Sequence, residues 1–176
     1  DLARPVGKKN AIKTARDLLE ETVLPALDRL RTALPGLSER INTGCRLLQS
    51  DRRERTLRLT PALRHQPGFR DDIVPALEEL SGLLGVTGKA FTRLYDAWLD
   101  MEEQEQGSLE AHFLRIASGA RRFEEDRVFL QGVLNDFDEN QVWWAVIAPD
   151  QEPEKLSLNA APVCVGPLLQ EHLYDR

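Results

Sequence analysis

Apolar residues recur at alternating intervals of four and three along two long stretches of this chain. The first stripe, called the first seam, has one polar member, Thr87, and the second seam has one charged member, Arg127. The first seam consists of Ile73, Leu77, Leu80, Leu84, Thr87, Phe91, Leu94 and Trp98, and the second of Leu109, Phe113, Ile116, Ala120, Phe123, Arg127, Leu130, Leu134 and Phe137. Heptad spacing of this kind is typical of helices that pack along their length.

A polar stretch, MEEQEQGS at 101–108, separates the seams and offers Ser108 as a helix N-cap. We therefore predict an antiparallel helical hairpin with about 28 residues per helix and a length of about 40 Å. Gly82, Gly85 and Gly88 lie in its first helix, where each costs about 1 kcal/mol relative to Ala. Either the helix is interrupted at 85–88, or close packing against another segment offsets that cost.

Helical spacing also covers residues 8–34, where Ile12, Ala15 and Leu19 begin the apolar stripe. Pro25 lies inside this pattern and should kink or divide the helix. The pair Pro35-Gly36 predicts its end, and Ser38 is a plausible N-cap for a shorter helix over 38–49.

Towards the C-terminus the period of the pattern changes from helix to strand. Residues 142–147 are β-rich, 149–154 are polar, and the apolar positions over 156–160 alternate, so a β-hairpin is predicted. Leu57 and Leu59 hint at one further short strand, and a last helix is expected from Pro167. The fold class is thus mainly α: a long antiparallel helical hairpin with additional helices and a small C-terminal β-hairpin. We divide it into a helical part, 1–138, and a hairpin-and-helix part, 139–176.

Charge is distributed unevenly along the 176 residues, whose formal net charge is −6. Residues 1–100 hold 17 Lys/Arg and 14 Asp/Glu, whereas residues 101–176 hold 6 and 15.

No apolar run approaches the roughly 20 residues of a membrane span, and no signal peptide is visible. Cys45 and Cys164 form no metal-binding cluster; a disulfide and two reduced thiols both stay open. The only Met is Met101, so we expect a fragment of a larger protein or a processed product. With two reduced thiols the expected location is the cytoplasm.

Arginines are concentrated between residues 51 and 70, beside only two acidic residues before position 70. Guanidinium groups suit phosphate oxygens, so this segment is a candidate for contact with nucleic acid. The alternative is that these arginines pair with carboxylates of the fold. The candidate nucleic-acid-binding residues are Arg52, Arg53, Arg55, Arg58, Arg64, Lys8 and Lys9.

The sequence contains no complete catalytic motif, so we predict no enzyme activity for this chain. SGLLGVTGKA resembles a phosphate loop, but Leu83 and Ala90 occupy positions that need Gly and Ser/Thr. No HExxH is present, and Glu124-Glu125-Asp126 can hold a cation or simply solvate a helix face.

Trp143 and Trp144 are adjacent and should point to opposite faces of a strand. One should face a core, and the other can stack on a base or pack against a neighbouring domain.

The C-terminal 35 residues resemble the bacterial DinG-type relatives of the XPD helicases. In that family a strand containing Trp is followed by a polar turn and by a strand that leads into an Ala-Pro motif, with a Ser-Ala-Thr helicase motif soon after. The residues that match are Trp144, Ala161, Pro162, Val163, Val165 and Leu169. The stretch RTLRLTPALRHQPGF also looks like the family's insert before its paired long helices.

The resemblance implies that the chain is the arch or middle segment of an ATP-dependent DNA helicase involved in DNA repair. The arch helps to enclose single-stranded DNA, and the final strands return to the first motor domain. ATP and Mg²⁺ would be bound by motor domains outside this segment, and an iron–sulfur cluster, where the parent has one, lies upstream. No catalytic residue, metal or cofactor is carried over to this segment. The alternative function is a helical protein–protein interaction or scaffold module, which the seams fit equally well.

Overall fold

The computed structural model describes residues 9–49, 55–101, 103–135, 141–148 and 155–163. Within these ranges the chain is mainly α, as predicted, with one three-stranded antiparallel sheet in the order β1-β2-β3. The helices are α1 (Lys9–Leu18), α2 (Leu24–Leu48), α3 (Pro61–Arg64), α4 (Val74–Leu99) and α5 (Glu103–Leu134), and the strands are β1 (Thr56–Leu59), β2 (Gln141–Ala148) and β3 (Lys155–Pro162).

The chain forms two compact units, each built from two stretches. Unit 1 comprises Asp1–Pro35 and Glu79–Phe129, and unit 2 comprises Gly36–Glu78 and Leu130–Arg176. This grouping differs from the predicted division into 1–138 and 139–176. The reason is that β2 and β3 belong with the strand and helices of Gly36–Glu78, which the sequence pattern alone assigns to the helical part.

In unit 1, α4 and α5 form the predicted antiparallel helical hairpin. The ring of Trp98 stacks on Phe113 with centroids 5.2 Å apart, and Phe91 meets Phe123 edge-on at 5.4 Å. Further along, Gly85 lies against Arg127. Residue numbers on α5 fall as those on α4 rise, which requires antiparallel helices. The 26 residues of α4 and 32 of α5 correspond to about 39 and 48 Å at ~1.5 Å per residue.

The connector between these helices is shorter than predicted. Because α5 already begins at Glu103, most of the polar stretch 101–108 is helical, and Ser108 lies inside the helix. The prediction of Ser108 as N-cap is therefore wrong. Glu and Gln are good helix formers, so a run of polar residues here is compatible with helix and does not require a connector.

Helix α4 is not interrupted at its three glycines, so the close-packing explanation holds for two of them. A Cβ added at Gly85 would lie 3.1 Å from Cδ of Arg127, and one at Gly88 would lie 3.4 Å from Cβ of Phe123. Gly82, in contrast, has nothing within 4 Å. The polar seam residue Thr87 is fully buried, and its hydroxyl donates to the carbonyl of Leu83 at 2.8 Å. This bond satisfies the hydroxyl without disturbing the packing.

The hairpin shares its core with the first helical segment of the chain. Ala15 of α1, together with Val23 and Ala26, packs in one cluster with the inner residues of α4 and α5. The buried members from the hairpin are Ala90, Leu94, Ala97, Trp98, Met101 and Phe113. Two helices alone enclose little interior, so this third segment supplies the apolar surface that the two seams need.

The predicted break at Pro35-Gly36 is absent, because α2 continues from Leu24 to Leu48 with Pro35 inside it. The separate helix over 38–49 and the N-cap at Ser38 are therefore wrong predictions. Along one face of α2, Leu37, Ile41 and Cys45 are each at most 3 % exposed. Their burial stabilises the helix by more than the few kcal/mol that a Pro in a helix costs.

Pro25 does divide the first helical segment, through a π-helical turn at Leu19–Val23. The backbone N–H of Leu24 donates to the carbonyl of Leu19, five residues back, immediately before the proline that lacks a donor. A second π-helical turn, Phe69–Ile73, precedes Pro75 in the same way. Both turns begin matching sequences, LEETVLPALDRL and FRDDIVPALEEL. The spacing of apolar residues does not reveal this repeat.

In unit 2, the C-terminal half of α2 packs against the second π-helical turn. A Cβ added at Gly44 would lie only 2.6 Å from Cγ1 of Ile73, so α2 approaches that turn closely. Cys45 is a buried free thiol, and burial raises its pKa to about 12. It is therefore protonated and unreactive in the folded chain. Cys164, Phe137 and the predicted helix from Pro167 lie outside the described residues.

Candidate nucleic-acid interface

The register of the sheet places the two adjacent tryptophans on opposite faces, as predicted. On the core face, Trp143 pairs with Leu59 of β1 and Ala160 of β3. Trp143 is 6 % exposed, and a Cβ added at Gly132 of α5 would lie 2.8 Å from its ring. The glycine thus allows the indole to seat against the helix, and Trp143 is the core tryptophan of the pair.

Trp144 occupies the other face of the sheet and is only partly buried. It pairs with Arg58 on β1 and with Asn159 on β3, so these three residues form one row across the sheet. We call this surface the Trp144 face. It consists of Thr56, Arg58, Val142, Trp144, Val146, Ser157, Asn159 and Ala161.

Polar groups on the Trp144 face are partly ordered by bonds within the strands. The side-chain amide of Asn159 donates to the carbonyl of Ser157 at 3.2 Å and to its hydroxyl at 3.3 Å. Arg58, on β1, is exposed. An aromatic ring flanked by a guanidinium and an amide is a chemistry that suits a base and its phosphate.

Arg55 extends the basic character of β1 at its start. Its side chain is exposed, and its carbonyl accepts a hydrogen bond from the backbone N–H of Ile147 at 2.8 Å. That bond prolongs the pairing of β1 with β2 by one residue. Two predicted residues, Arg55 and Arg58, are therefore held on the same ordered strand segment.

Arg64 has a structural role that the sequence reading missed. It is partly buried, and its guanidinium donates to the backbone carbonyl of Val133 in the last turn of α5. The final carbonyls of a helix lack partners within the helix, and a basic side chain there satisfies them and complements the helix dipole. Helix α3 sets up this contact, because the Thr60 hydroxyl accepts from the backbone N–H of Leu63 as its N-cap.

The other predicted residues are not part of this surface among the residues that the structure describes. Arg52, Arg53 and Lys8 lie outside the described residues, and Lys9 begins α1 in unit 1 with its side chain outside the description. Arg70, a neighbour in the same basic segment, pairs with Asp71 at 3.0 Å. Arg70 thus follows the ion-pairing alternative, and contact of Arg55 and Arg58 with nucleic acid stays a prediction.

The acidic group on α5 is engaged with arginines. Arg127 donates two hydrogen bonds to Glu124, at 2.8 and 2.6 Å, and Arg121 pairs with Glu125 at 2.7 Å. The hydrogen bond from Arg127 lowers the pKa of the exposed Glu124 carboxyl. These pairs favour the solvated-surface interpretation over a cation site.

Other candidate sites in the described part of the chain are weak. A shallow cleft of about 300 Å³ in unit 2 has walls of mixed charge, with Arg40 beside Glu39 and Asp72. Among the described residues, no three His, Cys, Asp or Glu side chains lie close enough together to hold a metal ion. Nor does any helix in that part have the length and hydropathy to cross a membrane.

Comparison with known proteins assigns no family. No protein-family model matches the sequence, and neither the curated proteins nor the solved structures give a significant match.

Proposed function

We propose that this chain is the non-catalytic arch or middle segment of a DinG-like ATP-dependent DNA helicase, and that it helps to enclose and guide single-stranded DNA. ATP hydrolysis would belong to motor domains outside this segment, which would also bind Mg²⁺. The chain contributes shape and surface to the DNA path and no reacting group.

The observation that carries the proposal is the placement of the family-like residues on one antiparallel hairpin. Trp144 lies in β2, and Ala161 and Pro162 end β3, with Val142 and Ala161 directly paired. The family pattern has the same order: a strand with Trp, a polar turn, and a strand that ends in Ala-Pro. The long antiparallel helix pair of unit 1, preceded in sequence by β1 and its Arg-Leu-Thr run, supports the same assignment.

The test is direct binding of labelled single-stranded oligo(dT) to this chain, measured by fluorescence anisotropy at low and moderate salt. We expect weak, salt-dependent binding that the triple substitution Arg52→Ala, Arg53→Ala and Arg55→Ala reduces. Each lost phosphate contact should lower the slope of log affinity against log salt by about 0.7, so the triple variant should lose about 2 in slope.

A matched control removes the same charge elsewhere. Arg16, Arg31 and Arg121 are exposed arginines of unit 1, and their replacement by Ala should leave the slope nearly unchanged. Binding that does not depend on salt, or that the two triple variants affect equally, would contradict the role of the basic segment.

A further inference from the structure

We propose that the Trp144 face is a base-stacking platform on which single-stranded DNA lies, with Trp144 in contact with a base and Arg58 with the adjacent backbone. This inference rests on the proposed function and assigns its DNA contact to specific residues. The sequence offered one of the two adjacent tryptophans for stacking on a base, and the burial of Trp143 leaves Trp144 for that role.

The first argument is the difference in burial between the two tryptophans. The core already takes Trp143, whose ring contacts Gly132 of α5. Trp144 points the other way and keeps part of its indole accessible. An indole presents a large flat surface that every base can stack on, with little loss of side-chain entropy.

The second argument is charge. None of the 20 residues in β1, β2 and β3 is acidic, although residues 101–176 as a whole hold 15 Asp/Glu against 6 Lys/Arg. The three strands themselves thus carry no acidic side chain, although β2 and β3 lie in the acidic part of the sequence. A polyanion meets no like charge from the strands of the Trp144 face, where Arg58 adds a positive charge.

The third argument is geometry. Neighbouring strands in a sheet lie about 4.8 Å apart, so Arg58 and Asn159 flank Trp144 at about the distance of one strand on either side. A base on the indole would have a guanidinium on one side for phosphate and an ordered amide on the other for a base edge.

The occupant is single-stranded because duplex bases are already stacked on each other and hide their faces. A docked protein domain would instead be expected to cover the apolar residues Val142 and Val146 without any preference for nucleic acid. These two occupants give different results in the following experiment.

The experiment measures the affinity of the full 176-residue chain for oligo(dT), and the quenching of its tryptophan fluorescence on binding. Trp98 and Trp143 are 7 % and 6 % exposed, so quenching by stacked bases should report mainly on Trp144. We expect Trp144→Ala to weaken binding about tenfold, and Trp144→Phe to abolish quenching while it retains part of the affinity, because a phenyl ring still stacks.

Two controls separate stacking from charge and from misfolding. Arg58→Ala should weaken binding and reduce the salt dependence, whereas Arg121→Ala, with the same loss of charge on α5, should do neither. Trp144→Ala should leave any residual affinity for duplex DNA unchanged. Circular dichroism and thermal unfolding of each variant check that the sheet still forms.

The outcomes are distinguishable. If oligo(dT) binds in a salt-dependent manner but Trp144→Ala binds equally well and no quenching occurs, the stacking platform is wrong and the proposed function stands. If the unmodified chain binds no oligo(dT) even at low salt, both proposals fail. Equal effects of Trp144→Ala on oligo(dT) and duplex would also overturn stacking.

Discussion

Two glycines in α2 occupy opposite environments, although the sequence gives no reason to distinguish them. Gly36 has nothing within 4 Å of the position that a Cβ would take. A Cβ at Gly44 would lie 2.6 Å from Cγ1 and 3.1 Å from Cδ1 of Ile73, whose side chain is 2 % exposed. Gly44 therefore sets how closely α2 can approach the second π-helical turn.

Substitution of these glycines should change stability in opposite directions. Gly36→Ala should raise the free energy of unfolding by up to about 1 kcal/mol, because Ala has the higher helix propensity. Gly44→Ala gains the same propensity, but it must displace a buried Ile, and overpacking of this kind costs about 1–3 kcal/mol. Urea denaturation of both variants measures the difference. A stabilised Gly44→Ala variant would contradict the close approach of the two segments.

For individual residues, the sequence was sufficient to predict part of the candidate interface. Alternation in β2 was sufficient to place Trp143 and Trp144 on opposite faces, since strand geometry requires it. It could not show that Arg64 reaches the carbonyl of Val133, because those residues are 69 positions apart and Arg64 has the same local sequence character as Arg58. Which arginine is structural depends on the tertiary fold.

Among the elements, α2 shows most clearly where local signals mislead. Pro35, Gly36 and Ser38 together form a strong stop-and-start signal for helices. The structure instead keeps one helix, with the burial of Leu37 and Ile41 outweighing the local preference. Strand β1 was indicated by its alternation, but its pairing of Thr56 with Val146 spans 90 residues and leaves no trace in periodicity.

The continuity of α2 predicts that Pro35→Ala is stabilising. Pro35 is exposed and lacks the N–H that would bond to the carbonyl four residues earlier, at Arg31. A proline inside a helix costs about 3 kcal/mol, partly offset because the unfolded chain regains up to about 1 kcal/mol of entropy when proline is removed. We expect a net gain of roughly 2 kcal/mol in the free energy of unfolding.

Pro25→Ala is the matched control for this element, since Pro25 follows a π-helical turn that already omits its bond. It should give a smaller gain than Pro35→Ala. If Pro35→Ala is neutral or destabilising in thermal unfolding, α2 is two helices that meet at Pro35, as the sequence alone suggested.

For the whole molecule, the burial of the two seams bears on the choice between the DNA-guiding and scaffold functions. Leu84, Leu94 and Trp98 from the first seam and Phe113 and Leu130 from the second are all buried. In unit 1, Leu94, Trp98 and Phe113 pack in one core cluster with residues of the α1–α2 segment. The buried seam residues cannot also bind a partner helix, so a scaffold function would use exposed apolar side chains of α5, such as Leu109 at the start of the second seam, Leu114 and Val128.

We therefore predict that the chain sediments as a monomer over a wide range of concentrations. In analytical ultracentrifugation, the sedimentation coefficient should stay constant from about 1 to 100 μM, because the seam residues Leu94, Trp98 and Phe113 are already packed within the chain. Leu114→Glu should leave both the coefficient and the unfolding midpoint nearly unchanged, since surface substitutions usually alter stability by about 0.5 kcal/mol or less. Phe113→Glu, one residue away but 7 % exposed, should unfold unit 1.

A different result would favour the scaffold function: association that Leu114→Glu abolishes and that persists in the Arg52/Arg53/Arg55→Ala variant. Such association would place a partner site on α5 that does not depend on the basic segment.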